Sequence, residues 1–118
     1  MDLTQEGKRD IQNRVNAGAQ YLDTAYKHWR TDLRHTIDGD SPLQMHECEA
    51  CVLGKLLGDY FDALPILFPT LSGHEQKQRA EDLGFTLPTS YDGVTEVVRC
   101  NAWRYLEQCW LEKIMETA

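Results

Sequence analysis

Apolar residues recur along this chain at steps of three and four, and no segment sustains alternation in steps of two. Side chains three and four apart share one face of an α-helix, whereas a half-buried strand needs alternation, so the pattern confines the chain to an all-α fold. The clearest stripe is Ile11, Val15, Gly18, Leu22, Tyr26, Trp29 and Leu33, opposite a polar face of Lys8, Arg9, Asn13, Asn16, Gln20 and Lys27. It predicts a first helix over about residues 4–29, with a connector over 30–40 in which Asp38-Gly39 signals a turn.

Ser41-Pro42-Leu43-Gln44 reads as a helix start: a capping serine, proline at the first helical position, and a glutamine to close the box. A second stripe follows through Leu43, His46, Ala50, Leu53, Leu57, Tyr60 and Leu64, and Pro65 should end it. Ser72-Gly73-His74-Glu75 opens a third helix that stops at Leu83, with Gly84 just beyond. After an extended link over Phe85–Pro88, Thr89 or Ser90 should cap a final helix reaching about Met115. Its inward positions are Val94, Val98, Ala102, Tyr105, Leu106, Cys109, Trp110 and Ile114. At 118 residues, with no repeat and no linker, these pieces form one domain, a small bundle of about four helices over residues 1–118.

Charge narrows the partners. Residues 1–34 carry six basic and five acidic residues, whereas residues 35–118 carry six basic and fourteen acidic. Nucleic-acid affinity comes largely from basic side chains displacing condensed counterions, so direct DNA or RNA binding is disfavoured and a basic protein partner fits better. The first ten residues lack the apolar core of a secretory signal, and no apolar run reaches the ~20 residues that span a bilayer. The expectation is a soluble cytoplasmic protein with reduced cysteines.

Cys48-x-x-Cys51 is the motif closest to chemistry. With His46 nearby it supplies half of a zinc site, but Cys100 and Cys109, nine residues apart, fall on opposite faces of a helix and cannot both complete it. Buried free thiols are the alternative, since cysteine is among the most buried residue types. Gly54 and Gly58 are set four apart inside the second stripe, where each glycine costs about 1 kcal/mol relative to alanine. They would make a flat strip for a packed helix of the same chain or for the seam of a homodimer. Asp59 and Asp62, like Glu81 and Asp82, fall on faces that read as solvated. Trp103 lies off the inward stripe of the last helix and is a candidate interface anchor. No nucleophile has a base beside it and no glycine-rich phosphate loop is present, which argues against an enzyme.

Several of these residues fall into a longer pattern. Tyr21-Leu22-Asp23, Trp29, Cys51-Val52-Leu53-Gly54, Gly58-Asp59-Tyr60 and Leu83-Gly84-Phe85 follow one another in the order seen in a group of small uncharacterised proteins of actinobacterial phages. The chain resembles that group over about residues 17–100. It departs from it at Val94–Arg99, where the group has leucine and tryptophan, and Cys48 lies outside the pattern. The resemblance implies a small accessory phage protein made in the host cytoplasm. Together these readings point to a non-catalytic protein that binds a host or phage protein through Gly54, Gly58, Asp59, Asp62 and Trp103, without a cofactor. The alternative is a zinc module on His46, Cys48 and Cys51.

Overall fold

A computed structural model describes residues 3–116. Six α-helices follow in order: α1 (Gln5–Ala25), α2 (Trp29–Thr36), α3 (Val52–Leu57), α4 (Tyr60–Leu67), α5 (Gly73–Asp82) and α6 (Glu96–Met115). A 3₁₀ turn at Thr89–Tyr91 precedes α6, and there is no strand among the described residues. The all-helical expectation holds; the count of about four does not.

The first apolar stripe is real but is split between two helices. Ile11, Val15, Gly18 and Leu22 are buried on α1, which ends at Ala25; Trp29 and Leu33 are buried on α2. The break at Tyr26–His28 re-aims α2 so that it packs on α6. Asp23 bridges it, accepting hydrogen bonds from the Trp29 indole at 2.9 Å and the Arg30 guanidinium at 3.0 Å. Arg30 and Arg34 then donate to the carbonyls of Lys113 and Ile114, at 2.9 and 2.8 Å. Two cations thus satisfy the open C-terminus of α6, where orphan carbonyls and the helix dipole both favour positive charge.

The expected helix from Ser41 does not form, and Ser41 caps nothing. Residues 43–51 make successive turns instead, with Leu43 and Met45 buried. Helix resumes only at α3, and its N-cap is the thiol of Cys51, which accepts from the Gly54 amide at 3.3 Å. Pro65 does not end α4 but sits within it, where its missing N–H leaves the Phe61 carbonyl without the usual helical donor. The Ser72–Glu75 capping box is formed, and Gly84 follows α5 at φ +71°, as the sequence indicates. For α6 the cap is Thr95, not Thr89 or Ser90, which lie in the 3₁₀ turn. Val94 accordingly falls outside the helix and is exposed, while Ala102, Leu106, Cys109, Trp110 and Ile114 point inward. Glu81, expected in solvent, is 8% exposed and accepts from the Thr89 amide at 2.8 Å, fixing the start of the 3₁₀ turn.

The core centres on Trp110. Its ring stacks on Phe85 with centroids 5.5 Å apart, meets Trp29 edge-on at 5.9 Å, and donates its N–H to the Gly84 carbonyl at 2.6 Å. This closes α2, the α5–α6 link and α6 into one unit. Turn 43–51, α4 and the first half of α6 then enclose a surface depression.

Candidate functional site

The depression is built by the irregular segment that the helical pattern hides. Turn 43–51 is held to α6 by the Met45 amide donating to Glu107 Oε1 at 3.0 Å, and to the start of α4 by the Tyr60 amide donating to the Cys48 carbonyl at 2.9 Å. Between these anchors His46 projects against Trp103, with ring centroids 6.3 Å apart and planes at 65°.

Trp103 and His46 form a ridge between two hollows. On one side a groove of about 430 Å³ runs along α6, lined by Gln44, Glu96, Arg99, Cys100, Arg104 and Glu107. On the other, a smaller hollow of about 200 Å³ is bounded by Cys48, Cys51, Tyr60, Phe61 and Phe85. Of the exposed large apolar groups, Phe61 at 55% lines the smaller hollow, while Val97 on α6 is 58% exposed and Ile66 on α4 is 60% exposed. Helix α4 is apolar on nearly every side, so burying Ala63 and Leu64 leaves Phe61, Pro65 and Ile66 outward. The segment 38–62 contributes six acidic residues and one lysine. Lys55 is occupied with backbone carbonyls of Thr36 and Ser41, at 3.5 and 3.0 Å.

The residues singled out in the sequence divide into three groups. Trp103, His46, Cys48 and Cys51 come together at the smaller hollow. Asp59 and Asp62 flank Phe61 at the start of α4; Asp59 is its N-cap and accepts from the Phe61 amide at 2.9 Å, while Asp62 is exposed. Gly54 and Gly58 do not form a strip. A Cβ on Gly54 would lie 2.3 Å from the Cys48 carbonyl oxygen, so this glycine admits the chain's own turn and no second helix. Gly58 is the C-cap of α3 at φ +96°, a conformation that glycine adopts without strain. The flat strip that would have received a helix of the same chain or of a second copy is therefore not formed by these two glycines.

His46, Cys48 and Cys51 border one hollow, but among the described residues no three His, Cys, Asp or Glu groups are grouped to hold a metal ion. Cys51 is engaged at both ends, accepting from Gly54 and donating to the Cys48 carbonyl at 3.7 Å. Burial raises its pKa above the ordinary thiol value, against the opposing pull of nearby backbone N–H groups. Burial likewise pushes the Tyr60 phenol up to about 12, aided by Cys51 and Glu81. Of the other two cysteines, Cys109 is buried, its thiol 3.2 Å from Gln12 Oε1, and Cys100 is exposed at the larger groove.

Sequence reasoning missed Phe61, Val97, Arg99, Arg104 and Glu107. For Phe61 the available signal was the apolarity of residues 60–68, broken only by Asp62, which leaves α4 little polar surface to show to water.

Fold and site together define a small helical bundle with a ridge at Trp103 and His46 between a groove lined by charged residues of both signs and a smaller, more apolar hollow. Among the described residues no helix is long and apolar enough to cross a membrane. No protein-family model, curated protein or solved structure matches the chain significantly.

Proposed function

We propose that the protein acts by binding another protein on the face around Trp103, with no catalytic chemistry of its own. The observation that carries this reading is Trp103 itself, half-buried on a ridge between two hollows, the smaller of which it shares with exposed Phe61. Binding energy at interfaces concentrates in such aromatic anchors beside pockets, with a polar rim around them. The acidic residues of 38–62, Asp59 and Asp62 among them, favour a partner of basic character, including a nucleic-acid-binding protein whose own contacts would be masked. The likeness to actinobacterial phage proteins supplies the setting: an accessory protein working on a host or phage protein in the host cytoplasm.

The test is capture from actinobacterial lysate with the wild-type protein and a Trp103→Ala variant of matched thermal midpoint. A discrete partner held at about 0.05 M salt, released by about 0.5 M, and not held by the variant is the expected result. Equal capture by both baits removes the Trp103 face from the account; capture indifferent to salt removes the charge argument.

A further inference from the structure

Cys48 and Cys51 occupy one turn, and the interaction reading makes no use of their thiols. That turn is fixed by the Ala50 and Cys51 amides, which both donate to the Glu47 carbonyl, at 3.2 and 3.0 Å. The Cys51 sulfur lies 3.7 Å from the carbonyl oxygen of Cys48, and both residues border the same hollow of about 200 Å³. Residues three apart in a tight turn keep their Cα atoms within about 7 Å, inside the range that a disulfide spans. The two thiols also differ in access: Cys48 is exposed, whereas Cys51 is 1% exposed. Thiol–disulfide exchange uses that order, an outer sulfur that meets the reagent and an inner one that resolves the mixed disulfide.

We infer that Cys48 and Cys51 form a reversible intramolecular disulfide, with a low-molecular-weight disulfide as the oxidant. The Cys48 thiolate attacks one sulfur of the reagent, whose S–S bond breaks and releases one thiolate. Cys51 then gives its proton to solvent, and its sulfur attacks Cys48, displacing the second reagent thiolate. The protein dithiol is oxidised to the disulfide, and the reagent is reduced to two thiols. Burial keeps the Cys51 thiol protonated, so it does not compete for the first attack. Glu47 and Glu49 flank Cys48 and favour a cationic reagent over an anionic one. The bond consumes the S–H that Cys51 donates to the Cys48 carbonyl and alters the sulfur that caps α3 at Gly54. Oxidation therefore acts directly on the turn that lines the groove.

The test treats the reduced full-length protein with cystamine, alkylates the remaining thiols, and maps the bonds by intact and peptide mass spectrometry. Two of the four thiols should disappear per chain, mapped to a Cys48–Cys51 bond in a monomer, and return on reduction. At low salt, cystamine should react several-fold faster than glutathione disulfide. Cys51→Ser should instead retain a persistent cystamine adduct on Cys48. Cys48→Ser, altered at an exposed position, should form no internal bond, and it serves as the control should Cys51→Ser not fold. A persistent adduct on Cys48 in the wild type, or a bond between chains through Cys48 or Cys100, overturns the inference.

Discussion

Replacing Gly18 by alanine tests the central packing argument, because local propensity and tertiary packing predict opposite signs. In the middle of α1, alanine should stabilise the helix by about 1 kcal/mol relative to glycine. The structure opposes this: the added Cβ would lie 1.9 Å from the Leu83 carbonyl oxygen and 3.0 Å from the Trp110 ring, where real Cβ contacts essentially never fall below 3.0 Å. Leu83 offers backbone, not a flexible side-chain tip, so α1 and the Leu83–Gly84 corner must part by about 1 Å. That corner holds the 2.6 Å bond from Trp110 to the Gly84 carbonyl. Overpacking costs about 1–3 kcal/mol, and weakening a buried hydrogen bond costs a further 1–3 kcal/mol or so. Set against the helix gain, the expected net destabilisation is about 1–5 kcal/mol, or roughly 3–25 °C in midpoint. Urea unfolding followed by far-UV circular dichroism measures it, with Gly73→Ala, where nothing lies within 4 Å, as control. A Gly18→Ala protein as stable as the wild type, with an unchanged m-value, would refute the close approach.

The other predictions concern the site and its supports. Gly54→Ala should destabilise by about 2 kcal/mol or more by pushing the Cys48–Glu49 turn off α3, while Gly58→Ala should cost about 1–3 kcal/mol from its positive φ alone; urea midpoints at or above wild type would contradict both accounts. Arg34→Ala should remove about 1 kcal/mol by uncapping α6, read as faster hydrogen exchange in its last turn; unchanged exchange there would count against the capping role. The raised Tyr60 pKa gives alkaline sensitivity: stability intact below the unfolded phenol pKa near 10 falls as pH rises toward 12. Tyr60→Phe should flatten that fall in urea midpoints taken at about pH 9 and about pH 11.5, and an unaltered slope would show that Tyr60 does not carry it.

The sequence by itself determined the helical class, the inward face of α1, that of α6 from Ala102 onward, and the Ser72 start and Gly84 end of α5. Each depends on spacing or capping within a few residues, which local physics settles. Tertiary structure alone decided where the stripes break. Residues 11–33 read as one helix, yet Trp29 reaches Trp110 only because the chain turns at Tyr26–His28. Residues 41–51 match a helical period and still form turns, because Leu43 and Met45 are buried there and Glu107, sixty-two positions after Met45, takes the Met45 amide. Gly54 and Gly58 show the same division. Their spacing suggested one shared role, but one admits a neighbouring carbonyl and the other adopts a positive φ. The Trp103 face is equally non-local: its ridge pairs a turn residue with α6, and its exposed apolar groups are those left over after the core is filled. Periodicity records which residues must be buried; which of the remainder meet on the surface depends on contacts between segments far apart in the chain.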